Sequence, residues 1–157
     1  LGCHIFSNII SAEPFLIEIG NGVTISSEVA FVTHDNSIIK IDPNCYNLFG
    51  KIVIGDNCFI GQRSTLLYGV NLANNIIVAA GSVVTHSFDE ERIIIGGNPA
   101  KKITTWDSFY RKNKDNSLSR KNLEKEITKT PEKLIKRSVI KVFKGENFDR
   151  RQLFENR

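Results

Sequence analysis

From Ile54 onward an aliphatic side chain returns at every sixth residue, as Ile54, Ile60, Leu66, Leu72, Val78 and Val84, without a slip in the count. Four residues after the first five of these stand Cys58, Ser64, Val70, Ile76 and Ser82, each small or β-branched. The same phase runs earlier through Ile19, Ile25 and Phe31, with Val23 and Val29 as the partners. A helix buries residues at a spacing of about 3.6 and a simple strand at 2, so a strict six with a secondary position at plus four fits neither. A short flat strand followed by a turn, repeated three times per coil, does produce it. Each coil then stacks on the last about 4.8 Å away through parallel backbone hydrogen bonds, and the inward Ile, Leu and Val fill a narrow triangular core. Gly20, Gly22, Gly55, Asn57, Gly61, Gly69, Asn71 and Asn74 fall at the corners, where left-handed backbone is expected.

The period breaks once. Phe31 and Ile54 are 23 residues apart, not a multiple of six, which places an insertion at about 36–50 containing Asp42-Pro43-Asn44, Tyr46 and Phe49. A long irregular excursion from a regular solenoid is a common place for binding residues, and this one follows directly on His34.

Composition narrows the class. At 157 residues, with 41% hydrophobic and 24% charged side chains, the chain has one core and no apolar run long enough to cross a membrane. Cys3, Cys45 and Cys58 are odd in number and include no Cys-x-x-Cys, which argues against a disulfide framework or a four-ligand zinc site and suits a reducing, cytoplasmic setting. The segment LGCHIFSN has no basic stretch leading into an apolar one, as a signal peptide would, and the absence of methionine reads as a trimmed N-terminus. Charge is divided: residues 1–100 hold four basic and nine acidic residues, net −5, whereas residues 101–157 hold 17 basic and 8 acidic, net +9. The pI of 9.0 therefore belongs to the tail.

Ile19-Gly20-Asn21-Gly22-Val23, Ile54-Gly55-Asp56-Asn57-Cys58-Phe59-Ile60-Gly61, Ala80-Gly81-Ser82-Val83-Val84-Thr85 and Gly97-Asn98-Pro99-Ala100-Lys101 together resemble the left-handed β-helix acyltransferases of the hexapeptide-repeat family, over residues 15–105. The pairing of Phe31-Val32-Thr33-His34-Asp35 with a long loop and Asn98-Pro99-Ala100-Lys101 most resembles the O-acetyltransferases of capsular and lipopolysaccharide biosynthesis. The fold class implied is an all-β solenoid, a left-handed parallel β-helix over 1–105, with a short basic α-helical extension over 106–157. The activity implied is acetyl transfer from acetyl-CoA to a sugar hydroxyl.

That resemblance assigns roles. It makes His34 the general base, a task that imidazole suits at neutral pH because an alcohol must lose its proton as it attacks the thioester. It puts Asn8 and the loop bearing Tyr46 at the acceptor, with Asp35 either contacting the acceptor or orienting His34. Since neighbours on extended chain point to opposite sides, a direct His34–Asp35 pair is not expected. Gln62 and Ala80, 18 residues apart, share one column on neighbouring coils, along which relatives lay the pantetheine arm. The backbone N–H of Gln62 resembles the donor to the thioester oxygen. Phe59 stands where relatives often carry Trp beside the pantetheine; plain packing next to the inward Cys58 and Ile60 is the alternative, although alternation turns Phe59 outward. Thr85, His86, Lys101 and Lys102 resemble contacts to the coenzyme phosphates, where lysine acts as a point charge. The zinc-binding branch of the fold uses three histidines, two of them close in sequence. His4, His34 and His86 stand 30 and 52 residues apart, so no metal is expected. No serine or cysteine stands out as a nucleophile, so direct attack in a ternary complex is expected.

In the tail, Ser119 caps an expected helix from Arg120 to Lys129, and Thr130-Pro131 opens a second with a stripe of Ile135, Val139, Val142 and Phe143. Its basic residues alternate with Glu124, Glu126, Glu132 and Glu146 and lack aromatic platforms, so nucleic acid is not the expected partner. Attraction to coenzyme phosphates or to anionic lipid beside a lipid-linked glycan is the alternative to a plainly solvated face. The family's habit of covering flat β-helix sides by trimerising gives a homotrimer as the expectation. Another acceptor (serine, an amino-sugar nitrogen, an antibiotic hydroxyl) and a non-catalytic scaffold remain the competing readings.

Overall fold

The computed structural model describes residues 2–117. The chain divides into two units, Leu1–Arg111 and Lys112–Arg157. The expected helices of the tail lie outside the described residues.

The first unit is a stack of three-sided coils. Its strands are β1 (His4–Ile5), β2 (Ile17–Ile19), β3 (Thr24–Ile25), β4 (Ala30–Val32), β5 (His34–Asp35), β6 (Leu48–Phe49), β7 (Ile52–Ile54), β8 (Phe59–Ile60), β9 (Thr65–Leu67), β10 (Asn71–Leu72), β11 (Ile77–Val78), β12 (Val83–Val84), β13 (Ile93–Gly97) and β14 (Ala100–Thr105), followed by helix α1 (Trp106–Asn113). Three parallel walls result: β1, β3, β8, β11 and β13 in the first, β2, β7 and β10 in the second, β4, β9 and β12 in the third. Strand β14 folds back antiparallel on β13 and closes that edge.

Register gives the length of the central coil. Val53 faces Asn71, Phe59 faces Ile77 and Thr65 faces Val83, a step of 18 residues on every wall. One coil earlier Ile17 faces Ile52, Thr24 faces Phe59 and Ala30 faces Thr65, a step of 35. The excess of 17 over one coil measures the insertion. It is rooted earlier than the expected 36–50, because His34 and Asp35 pair antiparallel with Phe49 and Leu48 as the stem of an arm. A short 3-10 turn, Ser37–Lys40, lies within that arm.

The six-residue period is the core. Ile54, Ile60, Leu66, Leu72, Val78 and Val84 are buried, and so are Cys58, Ser64, Val70, Ile76 and Ser82 at plus four. Ser64 and Ser82 are tolerated inside because each hydroxyl donates to the Ala79 carbonyl, at 3.0 and 2.6 Å.

The corner glycines serve two ends, and only part of the expectation for them holds. Gly22, Asn57 and Gly69 do have positive φ, but Gly81, Glu28, Arg63, Asn75 and Arg92 adopt it as well. Gly20, Gly55 and Gly61 do not. They are glycine because the next coil passes too close: a Cβ on Gly61 would lie 2.5 Å from the Ala80 nitrogen and 2.7 Å from the Val78 oxygen. Asn74 accepts the Asp56 N–H at 2.8 Å through its side chain, and Asn71 is extended strand.

Candidate active site

His34 leaves the end of β4 at the corner between the third and second walls, where the arm begins. Its Nδ1 lies 2.8 Å from Oε2 of Glu13, with the imidazole side chain 38% exposed and the carboxylate 17%. The same Oε2 accepts the Thr33 hydroxyl at 2.6 Å. Thr33 is buried, and its Oγ1 is 2.8 Å from Ser11 Oγ, which in turn accepts the Glu13 backbone N–H at 3.2 Å. The Thr33 hydroxyl first, and the His34 ring second, hold the Glu13 carboxyl below its ordinary range. A carboxylate on Nδ1 leaves Nε2 as the nitrogen able to accept a proton. Glu13 arrives from the segment before β2, 21 residues upstream of its partner, and nothing in the periodicity marks it.

Asp35 faces away from this pair, as alternation requires. Its Oδ1 accepts the Ser37 N–H at 2.7 Å and its Oδ2 lies 3.5 Å from the Tyr68 hydroxyl. The Ser37 N–H is the main reason its carboxyl sits below the usual range. Asp35 thus fastens the arm to the next coil, and its hydrogen bonds go to Ser37 and Tyr68 rather than to His34. Phe49, across the stem, puts its ring centroid 5.8 Å from that of His34 and is 55% exposed. Tyr46 is 80% exposed on the arm, and Asn8 is exposed on the segment that carries Ser11 and Glu13.

The residues expected to meet coenzyme are spread over two corners, the face of the first wall and strand β14. Gln62 and Ala80 do share a column: the Gly81 N–H donates to the Gln62 carbonyl at 2.8 Å, and both side chains are exposed. This column joins the first wall to the third, one full wall away from His34. Phe59 lies on the outer face of the first wall between Thr24 and Ile77, with Cys58 and Ile60 buried on either side. Lys101 is exposed on β14, and Nζ of Lys102 holds Glu90 at 2.5 and 2.7 Å. Thr85 and His86 instead follow β12 on the same corner as His34, two coils along. Their side chains are 3.2 Å apart, and His86 lies against Phe88 with 4.6 Å between centroids. Cys58 is buried with its thiol pushed up by that burial, which leaves it unsuited to nucleophilic work.

Among the described residues no three His, Cys, Asp or Glu side chains cluster to hold a metal, and no helix is long and apolar enough to cross a membrane.

Comparison with known proteins places this architecture. Residues 51–86 match the family described as the hexapeptide repeat of succinyl-transferase. The chain is 47% identical over 115 residues to Protein CapG of Staphylococcus aureus, covering 71% of this chain and 66% of that protein. It is 32% identical over 92 residues to the putative acetyltransferase YvoF of Bacillus subtilis, covering 59% and 49%. It therefore spans about half to two thirds of the length of these relatives. Among solved structures, a maltose O-acetyltransferase from Clostridium difficile superposes with a TM-score of 0.57 at 21% identity, over 66% of each chain. The N-acyltransferase AntD from Bacillus cereus, solved with dTDP and 3-hydroxybutyryl-CoA, gives 0.55 at 23% identity over 72% of this chain and 68% of that one. The chain therefore carries the hexapeptide repeat of this family and shares the fold of the solved acyltransferases.

Proposed function

We propose that this protein is an O-acetyltransferase that moves an acetyl group from acetyl-CoA to a hydroxyl of a sugar or polysaccharide, with His34 as the general base. The observation that carries the reading is the Glu13–His34 contact at 2.8 Å on a half-exposed ring beside the arm. Nε2 takes the proton of the acceptor hydroxyl as its oxygen bonds to the thioester carbonyl carbon. The tetrahedral intermediate then collapses, the carbon–sulfur bond breaks, and the coenzyme A sulfur leaves and takes up the proton held on His34. Glu13 stabilises the imidazolium formed in between. A backbone donor at Gln62 suits the developing oxyanion, an effect worth roughly 3 to 4 kcal/mol in other acyl-transfer enzymes.

The acceptor side is the exposed Phe49 face, an apolar platform beside a base that suits the C–H face of a sugar ring, with Tyr46 exposed on the same arm and Asn8 exposed on the segment that carries Glu13. The coenzyme set is Phe59, Gln62, Ala80, Thr85, His86, Lys101 and Lys102. The Glu90 pair is exposed, so Lys102 can exchange that carboxylate for a phosphate at little cost. Because the Gln62 column and His34 stand at opposite edges of the third wall, a site that uses both needs two copies of the chain. That separation supports a homotrimer of left-handed β-helices in which one protomer supplies His34 and its neighbour the pantetheine wall. The solved neighbours include both an O-acetyltransferase and an N-acyltransferase, so the acceptor atom is decided by assay.

The test is thiol release from acetyl-CoA in the presence of glycans and of amino-sugar nucleotides. Turnover with glycans that His34→Ala abolishes, while the far-ultraviolet spectrum is retained, is the expected result. Unchanged turnover in that variant removes His34 from the mechanism, preference for the amino sugars replaces oxygen by nitrogen as the acceptor, and failure to bind acetyl-CoA favours a scaffold.

A further inference from the structure

The hydrogen bonds around Glu13 fix every proton in the network without reference to any ligand. The backbone N–H of Glu13 can only donate, so Ser11 Oγ accepts it. Glu13 Oε2 can only accept, so the Thr33 hydroxyl donates its hydrogen there, and that leaves Thr33 Oγ1 as the acceptor in its contact with Ser11. The result is a closed ring of three bonds, Glu13 to Ser11, Ser11 to Thr33, Thr33 to Glu13, that ties the glutamate side chain back to its own backbone. His34 then adds a second donor to the same oxygen. The ring is anchored in the core side of the corner, since Thr33 is buried.

We infer that Thr33 is a positioning residue which, by gripping Glu13 Oε2 in this closed ring with Ser11, fixes His34 as the Nδ1–H tautomer and so reserves Nε2 for the proton of the acceptor. The inference rests on the proposed function for its catalytic meaning, but the tautomer is a property of the protein alone. Without the threonine hydroxyl, Glu13 has one anchor fewer and can swing toward solvent, and the imidazole then distributes its proton between both nitrogens. The depressed titration of Glu13 accords with this grip, Thr33 being its largest cause.

The direct readout is the long-range proton–nitrogen spectrum of protein labelled in its histidines, recorded at a pH where the rings are neutral, with the His34 signals identified by their loss in His34→Ala. In the unmodified protein His34 is expected as Nδ1–H. Thr33→Val, close in shape but without the hydroxyl, is expected to show a mixture of tautomers, Thr33→Ser to restore the single one, and Ser11→Ala to fall between. In turnover, measured as thiol release from acetyl-CoA with the best glycan, Thr33→Val should lower kcat about ten- to a hundredfold with KM little changed, in line with other partners that orient a working histidine. A Thr33→Val spectrum identical to that of the unmodified protein overturns the inference. Should Thr33→Val not fold, Ser11→Ala decides, because an unaltered tautomer there shows that the ring is not needed. A shifted tautomer together with unchanged turnover in His34→Ala would instead keep the ring and reject the catalytic reading.

Discussion

Gly50→Ala tests how the arm holds His34. Gly50 ends the return strand of the stem, and its N–H donates to the Thr33 carbonyl at 3.1 Å. A Cβ built there would lie 2.9 Å from the Gly69 Cα and from the Tyr68 carbonyl carbon, and closer still to the Gly69 nitrogen. All three are backbone atoms of the next coil, so no side chain can rotate away. Restoring ordinary contact at roughly 3.5 Å requires the stem and that coil to part by about 1 Å. Overpacking of this kind costs about 1 to 3 kcal/mol of stability. The larger effect falls on chemistry, since a misplacement of about 1 Å lowers turnover by about a hundredfold. Gly69→Ala is the matched control. Its φ of +78° strains an alanine by roughly 1 to 2 kcal/mol, yet its Cβ would meet nothing within 4 Å, so the stem stays where it is. Both variants should lose stability in urea, and only Gly50→Ala should lose kcat/KM in the thiol-release assay. If Gly50→Ala retains turnover within about twofold while its urea midpoint falls, the stem does not position the base and the argument is wrong.

Replacing Glu13 by Gln keeps its shape and removes the charge that stabilises an imidazolium, so kcat should fall by at least about tenfold, and full activity would show the contact to be ornamental. Leu66→Ala empties a fully buried position between Phe31 and Val84, which should lower stability by about 2 to 5 kcal/mol, read as a lower urea midpoint at unchanged slope. The carboxyls of Glu13 and Asp35 are depressed below 4.5 and 3.8, so each contributes its stabilisation in full above those unfolded values and loses it as pH falls through the lower folded ones. The thermal midpoint should therefore drop on acidification below about pH 4, and less so in Glu13→Gln; a midpoint that rises there would contradict both assignments.

The solenoid was legible because its core is strictly periodic: two inward positions in every six, from Ile54 to Val84, name the buried residues of that stretch. The arm showed only as an arithmetic remainder, and its root at His34 rather than Asn36 emerged from strand pairing, which the sequence does not display. Glu13 was invisible for a physical reason. It belongs to the irregular segment before β2, outside the repeat, and meets His34 through a step of one coil that no local spacing records. Asp35 was partly legible, since alternation already separates it from His34, whereas its attachment to Tyr68 depends on the 17 extra residues that displace the register between coils. The glycines were read through a single rule, left-handed backbone, when Gly20, Gly55 and Gly61 answer to the spacing between coils.

Crystals of the protein with acetyl-CoA and a glycan acceptor would weigh the whole account in one measurement. The acceptor oxygen must lie within about 3 Å of His34 Nε2 and the thioester carbon within about 3.5 Å of that oxygen, so the carbon should be found no more than about 6.5 Å from Nε2, with a neighbouring protomer's Gln62 N–H toward the carbonyl. Coenzyme bound elsewhere, with its thioester far from the imidazole, would contradict the assignment of His34 as the base.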